Sequence, residues 1–119
     1  MLKEPPFSTT ALDEIYEGDK QLFREIMEIL AAKLPQDLDE LAQALEERNF
    51  DAIGGVAHRI KSSLVTAAAV RAAGAAESVE KSASTQDLKT SASQIERLGF
   101  EIDSILAYYR TNEWENLFR

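Results

Sequence analysis

The chain reads as an all-α protein: an antiparallel four-helix bundle with a short extra helix near its N-terminal end. Three observations predict this. Proline occurs only at positions 5, 6 and 35 of the 119 residues, so little interrupts a helical hydrogen-bond ladder. No run alternates Val, Ile or Thr with polar residues as a strand would. Four longer segments repeat their apolar residues at spacings of three and four, which gathers them into one stripe per helix. Packing those stripes against one another is the economical way to bury them.

Each element follows from local signals. Ser8, Thr9 or Thr10 caps a first helix over about Ala11 to Tyr16, with Asp13 and Glu14 well placed in its first turn. Gly18-Asp19 breaks it, and Asp19 caps the next. The second helix begins near Lys20 and carries Leu22, Phe23, Ile26, Ile29, Leu30 and Leu34 on one side. Pro35 kinks it, and Leu38, Leu41, Ala42 and Leu45 keep the apolar rhythm going toward Arg48. Asn49 or Asp51 caps a third helix that runs to about Ala69, with Ile53, Ala57, Ile60, Leu64 and Ala67 as its core stripe. A fourth, alanine-rich segment starts at Val70, and Val79 extends its apolar face toward Ser82. Its small side chains let neighbouring helices come close. Ser84-Thr85-Gln86-Asp87 is the loop before a last helix over about Thr90 to Tyr109, with Ile95, Leu98, Ile102, Ile105, Leu106 and Tyr109 facing inward. Trp114, Leu117 and Phe118 either pack back on the bundle or form a partly ordered end.

The bulk numbers fit a single domain over residues 1–119, long enough for a real core. Hydrophobic residues make up 45% and charged residues 29%, the balance of an ordinary globular protein. No apolar run approaches the roughly 18 residues that span a bilayer, and Met1 to Pro6 lack the apolar core of a signal peptide. The chain has no cysteine, which excludes disulfides and thiol chemistry and makes a cytoplasmic monomer the expectation. A net charge of −8 argues against a nucleic-acid or anionic-membrane partner. From Arg48 to Arg71, however, Arg48, Arg59, Lys61 and Arg71 face one anion, Asp51, for a local charge of +3. That stretch holds the only histidine, His58, and suggests a preference for an anionic group nearby.

On an ideal helix, with about 100° per residue, His58 lies roughly 140° from the centre of the third helix's core stripe. It therefore faces water. Gly54 before it and Ser62 after it are small, so another protein can approach the imidazole. Val65, about 120° from the stripe, adds an apolar side chain to the same face as a docking element.

Most histidine chemistries fail on these residues. Zinc needs three or four N or S ligands, and a carboxylate-bridged metal pair in a bundle uses a Glu-x-x-His on each of two helices. Here Gly55 stands three residues before the single histidine. A hydrolytic triad needs a buried acid to orient the base and a nucleophile in a pocket, whereas His58 sits on a convex face without an acidic sequence neighbour. No P-loop or glycine-rich nucleotide cradle exists. What remains is imidazole as a nucleophile toward an activated phosphoryl group, since at its ordinary pKa of about 6.5 it keeps a free electron pair at pH 7. Lys61, one turn on, can swing its ammonium toward the phosphoryl oxygens.

The segment Ala57-His58-Arg59-Ile60-Lys61-Ser62-Ser63-Leu64 resembles the signature of histidine-containing phosphotransfer (HPt) domains, approximately Ala-His-x-Leu-Lys-Gly-Ser with Gly-Ala some ten residues after the histidine. Gly18-Asp19, Pro35 with Leu38 and Leu41, and the alanine-rich segment also have counterparts there. The resemblance implies a four-helix bundle that relays phosphate between aspartates of response-regulator receiver domains, fed by a hybrid sensor histidine kinase. It implies His58 as the phosphoacceptor, Lys61 as the cation supporting it, and Gly54, Arg59, Ser62 and Val65 as the docking face. It implies no cofactor or metal on this chain, the Mg2+ belonging to the receiver, and no ATP-dependent kinase activity. The chain departs from the pattern at Ser62 and Ala68, where the family has glycines. Ser62 is still small, and Ala68 suggests a helix that continues without a glycine bend. Two other readings stand beside this one: an HPt-like bundle that only binds proteins, and the phosphoacceptor helices of a histidine kinase. The second wants an acidic residue directly after the histidine, where Arg59 stands. The sequence fits a free-standing protein and a module of a hybrid kinase equally well.

Overall fold

The computed structural model describes residues 5–118, so Met1 to Glu4 and Arg119 of the expected domain span lie outside it. Five α-helices follow in order: α1 (Thr9–Tyr16), α2 (Lys20–Glu46), α3 (Phe50–Thr66), α4 (Val70–Ser84) and α5 (Leu88–Arg110), then a 3-10 helix at Glu113–Leu117. No strand occurs among the described residues. Helix α2 packs against α3 and α5, α4 packs between α3 and α5 on the other side, and α1 lies on α2.

Three helix starts are set by side chains expected as caps, and a fourth by Asp87, expected only as part of the loop. The first free amides of α1, α2, α3 and α5 are taken by Ser8 (to Ala11 N, 3.2 Å), Asp19 (to Leu22 N, 3.0 Å), Asn49 (to Ala52 N, 3.1 Å) and Asp87 (to Thr90 N, 3.0 Å), satisfying donors that the helix cannot. Asn49, not Asp51, is thus the cap of α3, and α1 and α5 each begin two residues before the predicted start. Helix α2 passes through Pro35 as one helix, with the proline turned to water.

The helix ends differ more. Helix α3 stops at Thr66, short of Ala69, because Ala68 adopts a left-handed conformation with φ 60°. The expectation of a helix continuing through Ala68 is therefore corrected. Alanine takes the glycine's backbone shape at a strain of roughly 1–2 kcal/mol, with its methyl fully buried. The turn is tied down: the Tyr16 hydroxyl donates to the Thr66 carbonyl at 2.6 Å and Ser8 N–H to the Ala68 carbonyl at 2.8 Å.

The α3 stripe is fully buried, Ile53, Ala57, Ile60, Leu64 and Ala67 being at most 1% exposed. It meets Phe23, Met27, Leu30, Leu34 and Leu41 of α2, the alanines of α4, and Leu98, Ile102 and Ile105 of α5 in one core. The predicted apolar side of α2 is too wide. Leu22 and Ile29 are 42% and 61% exposed, and Ala42 also faces water, because the core takes only the line through Phe23, Met27, Leu30 and Leu34. At the other end the tail packs back. Trp114 is fully buried, with its ring 5.1 Å from Phe23, while Phe118 lies 5.4 Å from Phe23.

Candidate functional site

Helix α3 buries its stripe and so holds the opposite face out. His58, Ser62 and Val65, spaced by four and three, lie along that face, and all three are exposed. The His58 side chain is 64% exposed. Ser62 turns its hydroxyl back to donate to the His58 carbonyl at 3.2 Å, leaving the surface beside the imidazole low. Gly54, one turn earlier, is half-buried. A methyl added there would meet Ala83 Cβ at 3.9 Å, an ordinary contact, so helix packing alone does not require glycine at this position.

An acid that the sequence neighbours of His58 did not reveal stands beside it. Glu80, on α4, spreads its two carboxylate oxygens between two partners: Oε2 lies 3.1 Å from His58 Nδ1 and Oε1 lies 2.9 Å from Lys61 Nζ. Lys61 is therefore anchored rather than free to swing. The hydrogen bond to Glu80 is the main reason its pKa is raised, with further attraction from Glu77. The only signal for Glu80 in the sequence is that it and Glu77 are the sole acids in an alanine-rich helix. Which of the two reaches α3 depends on how the helices are set against each other, and periodicity does not specify that.

Arg59 points to the other flank. Its guanidinium donates to Asp37 Oδ1 at 3.1 Å and to Glu40, both on α2, and these bonds, Asp37 first, raise its pKa. Arg71 likewise donates to Glu101 on α5 at 2.8 Å. The local positive charge read from the sequence is thus largely met by carboxylates of other helices. The structure brings His58, Lys61, Ser62 and Val65 together, sets Gly54 at their edge, and holds Arg59 against α2.

A shallow groove between α2 and α3 completes the face, lined by Ile26, Ile29, Lys33, Arg59, Ser62 and Thr66 among others. Ile29, 61% exposed, is the groove's prominent apolar side chain, while Val65, 53% exposed, lies outside the groove on the His58 face of α3. Ile29 sits roughly 120° off the α2 core line, a position the sequence reading assigned to the core. Among the described residues no group of three or more His, Cys, Asp or Glu stands close enough to hold a metal ion, and no helix is long and apolar enough to cross a membrane.

Comparison with curated proteins and with solved structures gave no match. A family model described as the Hpt domain matches residues 25–112, a stretch that includes α3 and α4 and leaves out α1 and the aromatic tail. With well over half of its length matched, the chain belongs to the Hpt domain family, the phosphohistidine-forming modules of two-component phosphorelays.

Proposed function

We propose that this chain relays phosphoryl groups between receiver-domain aspartates through phospho-His58. One observation carries the reading: the only imidazole stands in solvent on the outer face of α3, with the Lys61 ammonium on the same patch. In transfer, a ring nitrogen's electron pair attacks the phosphorus of an aspartyl phosphate. The N–P bond forms as the P–O bond breaks, and the aspartate leaves as a carboxylate. Handing the group on reverses the same steps. Such transfer depends on in-line placement and on neutralising the equatorial oxygens. The receiver brings its Mg2+, and Lys61 supplies the cation on this side by exchanging a Glu80 oxygen for a phosphoryl oxygen.

The docking surface is the face just described. Gly54 and Ser62 leave room for the incoming aspartate, while Val65 on the α3 face and Ile29 in the neighbouring groove each offer apolar contact. Arg59, held by Asp37 and Glu40, gives that surface a fixed polar edge. The links 47–49, 67–69 and 85–87 are three residues each, and links this short between neighbours support an antiparallel, up-and-down four-helix bundle. The reading makes the protein a monomeric cytoplasmic phosphocarrier, one domain without kinase activity of its own.

The test uses a receiver domain charged from radiolabelled acetyl phosphate. Acid-labile label should appear on the parent chain and not on His58→Gln. Label persisting on the variant would discard the assignment, and a parent chain that binds the receiver without taking label would favour the interaction-only reading.

A further inference from the structure

Lys61 meets a phosphoryl group from the α4 side of His58. On the opposite flank Lys33 and Arg59 both turn to Asp37, which leaves the group's other side to an uncharged residue. Ser62 stands there, where α3 borders its groove with α2. It lies four residues on from His58, a spacing that sets two side chains one above the other on a helix. Its hydroxyl already leans over the His58 turn, since it donates to the His58 carbonyl at 3.2 Å. The family pattern has glycine at this position, with no hydroxyl to offer.

We propose that Ser62 binds the phosphoryl group: once His58 carries it, the Ser62 hydroxyl leaves the backbone and donates to a phosphoryl oxygen. The inference rests on the reading of His58 as the phosphoacceptor, and it adds a contact that a glycine cannot make. The hydroxyl keeps its proton throughout, and no bond to phosphorus changes.

The exchange is favourable for two reasons. The His58 carbonyl lies within α3, where the backbone N–H of Ser62 fills it in the regular helical pattern. The hydroxyl is thus a second donor to that oxygen, and its departure leaves no polar group unpaired. Its new acceptor is charged, and hydrogen bonds to ionised oxygens are roughly twice as strong as those between neutral groups. Before phosphorylation no such acceptor is present, and the hydroxyl lies back along the helix. The other hydroxyls of α3 are committed elsewhere. Ser63 Oγ accepts from Lys33 Nζ at 3.2 Å, and Thr66 donates to the Ser62 carbonyl at 3.0 Å, about two turns from the ring. Lys61 and Ser62 are about 100° apart around the helix, one on each side of His58. They therefore close on the group from two directions. The contact matters most after the receiver has left with its Mg2+, when only this chain's own groups face the oxygens.

The equilibrium of phosphoryl transfer between the chain and one receiver domain tests this, because its position does not depend on how fast the two proteins dock. Ser62→Ala and Ser62→Gly should each shift it toward the phosphorylated receiver about fivefold, the effect of losing a hydrogen bond worth about 1 kcal/mol. Ser62→Thr keeps a hydroxyl on the same carbon and should stay close to the parent. Ser63→Ala removes the neighbouring hydroxyl and should not move the equilibrium. With phosphoramidate as a small donor that needs no docking, the phosphorus resonance of the phosphohistidine should shift in Ser62→Ala and return in Ser62→Thr. Ser62 is exposed and alanine is a good helix former, so α3 should remain folded. An equilibrium and a resonance unchanged in Ser62→Ala would overturn the inference while leaving His58 as the phosphoacceptor. A parent chain that takes label neither from phosphoramidate nor from the receiver would overturn the phosphoacceptor reading, and this contact with it.

Discussion

His58 and Lys61 share a carboxylate, and that arrangement sets what each substitution should do. Lys61 is half-buried but lies outside the hydrophobic core, so Lys61→Ala should fold like the parent. Its phosphohistidine should form or survive several-fold less well, read as the rate of label uptake and loss. Uptake and loss equal to the parent would remove the role assigned to Lys61. The apolar contacts make a separate prediction. Ile29→Asp and Val65→Asp should lower transfer from a limiting receiver at least about fivefold, as expected for loss of an interface residue worth 1 kcal/mol or more. Labelling by phosphoramidate should be untouched, because the chemistry at the ring is intact. Variants slowed equally with both donors would show that these side chains support the fold rather than docking. The outward-facing imidazole was legible from spacing alone, since a stripe of five buried residues fixes the opposite face. Glu80 and Ile29 were not, because one depends on how α4 is set against α3 and the other on how wide a strip of α2 the core covers.

At the scale of the elements, three helix starts carried a readable cap residue, to within about two positions, and the helix ends carried no comparable mark. Ser8, Asp19, Asn49 and Asp87 each accept an amide in the first turn, the chemistry those residue types supply. Asn49→Ala should therefore lose about 1 kcal/mol, seen as a lower urea midpoint with an unchanged slope. The helix ends use left-handed residues that are seldom glycine: Glu17, Arg48, Ala68, Gln86 and Asn112. Glycine is the usual marker of such an end, so Ala68 misled the reading of α3, and the turn after it is held by contacts remote in sequence. Tyr16→Phe removes the 2.6 Å bond to the Thr66 carbonyl and should lose about 1 kcal/mol. An unchanged urea midpoint would show that the turn stands without it.

Across the whole molecule, the parts outside the family match bind the two ends of the chain together. Phe7, Tyr16, Phe23, Trp114 and Phe118 form one aromatic cluster, and Arg24 lies 5.3 Å over the Trp114 ring. The aromatic tail was visible in the sequence, but its burial was left open there because no periodicity governs a segment of five residues. Beside the cluster, Tyr109 donates to Glu28 at 2.6 Å, and burial first, then that bond, push its pKa up to about 12. An unfolded tyrosine releases its proton near pH 10, so between about pH 10 and 12 the unfolded chain binds fewer protons than the folded one. Stability must then fall as pH rises through that window. Tyr109→Phe lacks this term, so urea midpoints should show the parent losing more stability than the variant between about pH 9 and 11. Equal losses would mean that Tyr109 titrates normally.

Under the proposed function a phosphoryl group passes through His58 and leaves again. The most direct measurement loads the purified chain with labelled phosphate, removes the donor, and adds a fresh, unlabelled receiver domain with Mg2+. The label should move to the receiver's aspartate within the lifetime of the phosphohistidine, and His58→Gln should carry nothing to pass on. Label that stays on the chain while the receiver binds, or a His58→Gln variant that still delivers it, would contradict the account.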